Sequence, residues 1–217
     1  MKQSYKVYLA DDHTLFRKAM VNLIRTFEKV EEIKDAENGK DLINLIKQDA
    51  PDVAIIDLQM PGMDGTEASE LIIQKYPDVK IIILTMHDSE KYILHMMEMG
   101  VHAFLLKNTE PDELEKAIYS VIEKDFYHND LVASVLRKNV KEKKAGKRPV
   151  FIQSELSDRE KEVLTLICGE LTMKEIGQKL SLSENTVRNH RVNIMEKVGV
   201  NNIVGLVKYA YETGLVN

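Results

Sequence analysis

Four short apolar runs constrain the fold of this chain more than any other feature, and all lie in its first half. They are Val7–Ala10, Val53–Ile56, Ile81–Leu84 and Ala103–Leu106. Such runs are typical of strands that are buried on both faces of a parallel sheet. Amphipathic stretches of helical length separate them, and a weaker strand is predicted around Ile33–Glu37. The pattern predicts five βα units in a doubly wound α/β domain with a five-stranded parallel sheet.

Polar side chains follow the four runs directly: Asp11, Asp57, Thr85 and Lys107. In an open parallel sheet, ligands bind beyond the carboxyl ends of the strands. Strands that simply end at polar residues would explain any one of these positions. All four together indicate that carboxylates, a hydroxyl and an ammonium gather at one edge of the sheet.

These residue types suit phosphoryl transfer. Asp11, Asp12 and Asp57 offer the oxygen ligands that Mg²⁺ prefers. Asp57 ends a central predicted strand and is the best candidate for a carboxylate nucleophile that becomes an aspartyl phosphate. Lys107 and the Thr85 hydroxyl could bind oxygens of the transferred group. No Gly-rich loop ending in Lys-Ser or Lys-Thr is present, which argues against nucleotide hydrolysis.

Four motifs in this order resemble the receiver domain of bacterial two-component response regulators. They are Asp11-Asp12-His13, Asp57–Gly65, Leu84-Thr85-Met86 and Phe104–Lys107, and the resemblance covers roughly residues 4–125. It implies a flavodoxin-like fold with Asp57 as the phosphoacceptor. It also implies a Mg²⁺ site formed by Asp12, Asp57 and the backbone carbonyl of Gln59, with Asp11 acting through water.

The resemblance also implies a switch at the same edge. Thr85 would be the switch hydroxyl, Lys107 the ion-pair partner of the phosphate, and Phe104 the aromatic residue that turns inward. Gln59 and His87 lie two residues beyond Asp57 and Thr85. Similar receivers place groups that steer the hydrolytic water at these two positions, so we expect both residues to tune dephosphorylation.

Charge divides the chain into two parts. Residues 1–130 contain 15 Lys and Arg against 25 Asp and Glu, whereas residues 131–217 contain 15 against 10. This division indicates two modules with different partners. Seven basic residues lie within Arg137–Pro149, an apolar-poor stretch that is predicted to be a solvated linker. No apolar run approaches the ~20 residues that span a membrane, and the single Cys168 excludes an internal disulfide, so we expect a cytoplasmic protein.

The last part of the chain has a helical pattern. Ser157 and Thr172 each precede a Glu by three residues, which predicts a capping box at the start of two helices. Ser181–Ser183 is the predicted turn before a third helix, Glu184–Val198, and a fourth is predicted over Asn202–Thr213. Four short helices, two of them joined by a three-residue turn, indicate a helix-turn-helix.

The third of these helices carries side chains suited to DNA. Arg and Asn, as at Arg188 and Asn189, read guanine and adenine edges in the major groove. An ordinary solvated helix also presents a basic face. Residues 150–217 contain 8 Lys and Arg against 9 Asp and Glu, so the domain is nearly neutral. We therefore expect a monomer to bind DNA weakly.

This segment resembles the LuxR-type helix-turn-helix of NarL/FixJ-class regulators over residues 154–217. The motifs are Leu156–Glu160, Lys174–Gly177 and Thr186–His190. The resemblance implies that Glu184–Lys197 is the recognition helix. The implied base contacts come from Arg188, Asn189 and Val192, and the implied phosphate contacts from Thr186, Lys174 and Arg191. Lys197 completes the predicted DNA-binding set.

The sequence therefore predicts a receiver over residues 1–128, a helix and basic linker over 129–153, and an all-α, four-helix DNA-binding domain over 154–217. The expected function is phosphorylation-controlled transcriptional regulation, with no enzymatic activity beyond gain and loss of the chain's own phosphoryl group. The expected partners are a sensor histidine kinase, double-stranded DNA and, in the active form, a second copy of the chain that contacts Asn202–Thr213.

Two alternatives stay open. One is a receiver-type interaction module that is never phosphorylated, although the complete Asp, Thr and Lys set argues against it. The other is a Mg²⁺-dependent phosphohydrolase, which would need a second acid two residues after its nucleophile, where Gln59 stands.

Overall fold

The structure, a computed structural model, describes residues 4–144, 156–169, 171–200 and 202–216, and its side chains up to residue 139 in the first range. The chain divides into two compact units between His128 and Asn129. Each unit encloses its own apolar core. Within the described ranges, no helix combines the length and the apolar character that crossing a membrane requires.

The first unit contains the predicted five-stranded parallel sheet, and its strand order is β2-β1-β3-β4-β5. The strands are β1 Tyr5–Ala10, β2 Val30–Ala36, β3 Val53–Ile56, β4 Lys80–Thr85 and β5 Ala103–Leu106. The second strand covers Val30–Ala36 rather than the predicted Ile33–Glu37. Most of its residues are half-buried, and it lacks the continuous apolar run that marks the other four strands.

Five helices flank this sheet: α1 Thr14–Ile24, α2 Gly39–Gln48, α3 Gly65–Lys75, α4 Glu90–Met99 and α5 Pro111–Lys124. Both α1 and α5 pack on one face, in a core that includes Leu9, Ile55 and Ile82. The helical pattern of the sequence runs on to Phe27, but α1 ends at Ile24. Phe27 is nevertheless buried, because the following turn folds it back and its N–H donates to the Ile24 carbonyl.

The second unit contains α6 Asp130–Lys144, α7 Asp158–Cys168, α8 Met173–Leu180, α9 Glu184–Val198 and α10 Ile203–Thr213. Both predicted capping boxes form, Ser157 with Glu160 and Thr172 with Glu175. The fourth predicted helix begins one residue later than expected, because Asn202 caps it and accepts a hydrogen bond from the Gly205 N–H.

The basic stretch Arg137–Pro149 differs from its prediction as a solvated linker. Its first part, up to Lys144, continues α6, and α6 packs against α10. The apolar residues Val132, Val135 and Leu136 come just before the basic stretch and are buried, so they provide the packing face of α6. The rest of the stretch lies outside the described residues.

Candidate active site and nucleic-acid interface

Strand register brings the predicted site residues to one edge of the first unit. Ala10 pairs with Ile56 at the ends of β1 and β3, so Asp11 and Asp57 follow neighbouring strands at the same level. Thr85 pairs with Leu106, and Lys107 comes next along the chain. Because β1 and β3 flank the point where the strand order reverses, the acids lie where open α/β sheets bind ligands.

Asp57 is held firmly at this edge. Its backbone N–H donates to the Ala10 carbonyl at 2.9 Å, and the residue is only 4% exposed. Its Oδ2 atom lies 2.6 Å from the Lys107 Nζ. The backbone of Asp57 is therefore fixed at the end of β3, and its carboxylate contacts the Lys107 ammonium.

Lys107 joins two carboxylates. Its Nζ lies 2.7 Å from Asp11 Oδ2 as well as 2.6 Å from Asp57 Oδ2, and its side chain is 5% exposed. Burial alone would lower the pKa of Lys107. The hydrogen bonds with Asp11 and Asp57 outweigh burial and raise that pKa above its usual 10.5. The ammonium therefore stays charged at any physiological pH and is fixed beside the candidate nucleophile.

Asp11, Asp12, His13 and Asp57 form a cluster that could hold a metal ion. One donor atom from each residue lies within 4.8 Å of the others. Asp11 and Asp57 are buried, whereas Asp12 is exposed. Three carboxylates suit the oxygen coordination that Mg²⁺ prefers, and the exposed side leaves room for the waters it retains. The three carboxylates of the predicted Mg²⁺ site thus lie in one place.

Sequence reasoning missed Arg17, which supports the loop that carries Asp11. Arg17 is 1% exposed and its guanidinium donates to the Asp11 carbonyl oxygen at 2.6 Å. The same group contacts Asp35 at 2.9 Å and Glu37 at 2.6 Å, at and just beyond the end of β2. Its position inside the amphipathic pattern of α1 gave no signal, because a basic residue in that pattern usually faces solvent.

The remaining predicted site residues of the first unit surround this cluster. Thr85 is fully buried, and its hydroxyl accepts a hydrogen bond from the His87 N–H at 3.4 Å. Phe104 is also fully buried. Gln59 is exposed and His87 is half-buried, so solvent reaches both side chains.

In the second unit, α9 presents the three predicted base-contact residues together. Arg188, Asn189 and Val192 are all exposed. At about 100° per residue they span about 100° of the helix circumference. Val187 and Ile194 lie on the opposite side and are buried in the core of this unit. An arginine, an amide and an exposed valine, which suits a thymine methyl group, form a face fit for a DNA groove.

Lys174 and Thr186 lie at the start of the two helices of the helix-turn-helix. Lys174 is exposed near the start of α8, and Thr186 is half-buried in the first turn of α9. The Ser183 side chain caps α9 by accepting from the Thr186 N–H. Arg191 is half-buried and lies outside the arc that Arg188 and Asn189 share.

The structure does not bring Lys197 onto this face. Its ammonium lies 2.7 Å from the Glu160 carboxylate, which belongs to the capping box of α7. Burial alone would raise the pKa of Glu160, but hydrogen bonds from Lys197 and Ser157 lower it below its usual 4.5. Lys197 therefore ties α9 to α7, which is a structural role that helix periodicity could not reveal.

Known protein families match both units. The response regulator receiver domain matches residues 7–119, and the LuxR family of bacterial regulatory proteins matches residues 154–210. The chain is similar along nearly all its length to the transcriptional regulatory protein DegU of Brevibacillus brevis. The two are 32% identical, over 97% of this chain and 94% of DegU.

Further similarities extend over both units. The oxygen regulatory protein NreC of Staphylococcus carnosus is 33% identical, over 98% of this chain and 99% of NreC. Among solved structures, that of the two-component response regulator RcsB in complex with DNA has a TM-score of 0.58 and 26% identity. That match covers 96% of this chain and 98% of the RcsB chain.

Proposed function

Because this chain belongs to the two-component response regulators that join a receiver to a LuxR-type DNA-binding domain, we propose that phosphorylation of Asp57 controls its binding to DNA. The observation that carries the proposal is the buried Lys107 ammonium in contact with Asp57 and Asp11 at the end of the parallel sheet. An interaction module without phosphate chemistry would not need to bury this charge at that edge, since burying charged groups is costly.

The phosphoryl donor is a phosphohistidine of a sensor kinase. An Asp57 carboxylate oxygen attacks phosphorus, the P–N bond breaks, and an acyl phosphate forms on Asp57 while the histidine recovers its electron pair. A Mg²⁺ held by Asp11, Asp12, Asp57 and the Gln59 carbonyl would neutralise charge on the transferred group. Lys107, whose ammonium contacts Asp57 Oδ2 at 2.6 Å, would pair with the new phosphate oxygens.

Thr85 and Phe104 transmit the change. The Thr85 hydroxyl moves to the phosphate and leaves space that the buried ring of Phe104 occupies. Gln59 and His87 then set how long the phosphate lasts, because both are reached by solvent and can orient the attacking water. The chain acts as a regulator whose only turnover is gain and loss of its own phosphoryl group.

The DNA-bound form is a homodimer that acts in the cytoplasm. Arg188, Asn189 and Val192 read base edges, while Lys174, Thr186 and Arg191 contact phosphates. A solved structure of the relative RcsB contains two dimers bound to two parallel DNAs. Paired copies supply the phosphate contacts that one nearly neutral domain lacks.

Intact mass spectrometry tests the phosphoacceptor. The chain is incubated with Mg²⁺ and a small acyl-phosphate donor, beside Asp57→Ala and a control, Asp88→Ala, which changes an exposed carboxylate outside the cluster. We expect one phosphoryl adduct on wild type and on the control, and none on Asp57→Ala. An adduct on Asp57→Ala would identify another nucleophile. No adduct on any protein would favour the interaction module that is never phosphorylated. Turnover of small phosphate esters would favour the phosphohydrolase.

A further inference from the structure

The Lys107 ammonium has one more hydrogen-bond donor than its two carboxylate contacts use. A lysine ammonium carries three N–H groups and no acceptor. Its Nζ atom contacts Asp11 Oδ2 at 2.7 Å and Asp57 Oδ2 at 2.6 Å, and the side chain is only 5% exposed. Each carboxylate accepts from one N–H group. The third N–H group must face another part of the site, because little solvent reaches the side chain.

The aromatic ring of Phe16 lies beside this ammonium. The distance from Lys107 Nζ to the centre of the ring is 4.8 Å. This distance is within the range of about 6 Å over which the face of an aromatic ring attracts a cation. The attraction arises because the ring face carries partial negative charge, and it is stronger where water is excluded. The Phe16 ring can therefore serve the third N–H group of Lys107.

Phe16 is held in place by the rest of the first unit. It is the third residue of α1, is half-buried, and packs against the apolar core that contains Leu9 and Ile55. The next residue, Arg17, donates to the Asp11 carbonyl oxygen at 2.6 Å. Two adjacent residues of α1 thus fix the Asp11 loop and the ring that faces Lys107.

We propose that Phe16 is a positioning residue for phosphoryl transfer to Asp57 and acts through Lys107. This inference rests on the proposed function and adds to it an aromatic residue that controls the ammonium. The ring holds the Lys107 ammonium against Asp57 and keeps water from its third N–H group. A donor that is already placed in a site without competing water stabilises the charge on the transferred group more strongly than a solvated donor does.

A role in core packing alone would have different consequences. If Phe16 only filled space, the electron density of its ring would not affect phosphorylation. If the ring holds the ammonium, phosphorylation depends on the negative charge of the ring face. Fluorine atoms on the ring withdraw electrons from that face and add little volume. Fluorinated phenylalanines at position 16 therefore separate positioning from packing.

Substitution of mono-, di- and trifluorinated phenylalanine for Phe16 in the full chain tests the proposal. The rate of phosphorylation by acetyl phosphate with Mg²⁺ is read as the mass adduct over time, at one donor concentration. We expect the rate to fall stepwise with each added fluorine, by about three- to tenfold in total, because cation–aromatic contacts in dry sites contribute on this scale. Equal rates across the series, or rates that rise with fluorination, would overturn the positioning role.

Three natural substitutions provide controls. Phe16→Tyr keeps the ring face and should phosphorylate within about twofold of wild type, whereas Phe16→Leu should lose about three- to tenfold. Phe27→Leu makes the same change at a buried residue of the same core. It should lower the free energy of unfolding in urea and leave the phosphorylation rate unchanged. A rate loss in Phe27→Leu as large as that in Phe16→Leu would assign the effect to packing.

A measurement without phosphate checks the contact itself. Protons over an aromatic face are shifted upfield in NMR spectra, so the Cε protons of Lys107 should be shifted upfield in wild type and Phe16→Tyr but not in Phe16→Leu. The absence of this shift in wild type would overturn the proposal. An adduct on wild type with equal rates across the fluorinated series would refute the positioning role alone. No adduct on any protein would refute the proposed function, and the positioning role with it.

Discussion

Replacing Gly65 with alanine is expected to displace the end of β3 and with it Asp57. A Cβ atom at position 65 would lie 2.1 Å from the Asp57 carbonyl oxygen and 2.8 Å from the Leu58 Cα. Both are backbone atoms, so no side-chain rotation relieves the overlap. Favourable contacts between heavy atoms begin at about 3.5 Å. The start of α3 and the end of β3 must therefore separate by about 1 Å.

This separation affects both stability and chemistry. The Gly65 N–H donates to the Leu58 carbonyl at 3.0 Å, and that hydrogen bond would lengthen with the shift. Overpacking of a close-packed site costs about 1–3 kcal/mol, and misplacing a reacting group by about 1 Å can cost about 100-fold in rate. We expect Gly65→Ala to lower the free energy of unfolding by about 2–3 kcal/mol and the phosphorylation rate by about 100-fold.

The matched control is Gly62→Ala in the same loop. Gly62 has a φ of +79°, and a Cβ there would meet no atom within 4 Å. Alanine at this position costs only the left-handed backbone strain, about 1 kcal/mol. Urea denaturation followed by circular dichroism and a time course of the mass adduct measure both variants. If Gly65→Ala and Gly62→Ala have the same free energy of unfolding and become phosphorylated at the same rate, the close backbone contact does not position Asp57.

Three further predictions concern buried charge and the recognition helix. Arg17→Met removes the donor to the Asp11 carbonyl and leaves Asp35 without its buried partner. The substitution should lower the free energy of unfolding by about 2–3 kcal/mol, measured by urea denaturation. It should also weaken Mg²⁺ binding, measured by calorimetry, and unchanged Mg²⁺ affinity would show that Arg17 does not position Asp11. Because folding lowers the pKa of Glu160 below its usual 4.5, its ionised carboxylate stabilises the second unit at pH values above 4.5. This stabilisation is lost as the pH falls through the folded-state pKa. Glu160→Gln should reduce the acid sensitivity of unfolding of that unit, and an unchanged pH profile by circular dichroism would refute the role of the Lys197 pair. Asn189→Ala should weaken binding to the operator by about 1–3 kcal/mol in fluorescence anisotropy at fixed salt, whereas a loss equal on all DNA sequences would indicate a phosphate contact.

The edge of the sheet that carries the acids could be predicted from sequence because it depends on local signals. Strands β1, β3, β4 and β5 each contain a continuous apolar run, and the residue after each run is fixed by the alternation of strands and helices. Parallel pairing then places Asp11, Asp57 and Lys107 at one end, whatever the details of packing. Helix starts were equally local, since a Ser or Thr three residues before a Glu forms its hydrogen bonds within one turn.

The ion pairs that Arg17 and Lys197 make with residues far away in the sequence could not be predicted. Arg17 lies in α1, yet its partners Asp35 and Glu37 lie 18 and 20 residues later, at and just beyond the end of β2. Lys197 and Glu160 are 37 residues apart, and helix periodicity alone gives no reason to pair them. Such pairs depend on how helices cross and how strands are ordered, which no local pattern specifies.

The shared Lys107 ammonium explains how a phosphoryl group on Asp57 would change the positions of neighbouring residues at the ends of β4 and β5. One ammonium serves two buried carboxylates, so the site already has more negative than positive charge. A phosphoryl group adds about one further negative charge to Asp57, which draws the ammonium and nearby donors toward it. The Thr85 hydroxyl has a weak contact at 3.4 Å to give up, so redirecting it costs little. The Lys107 N–H donates to the Thr85 carbonyl at 2.8 Å, and movement at either residue therefore shifts the ends of β4 and β5 together.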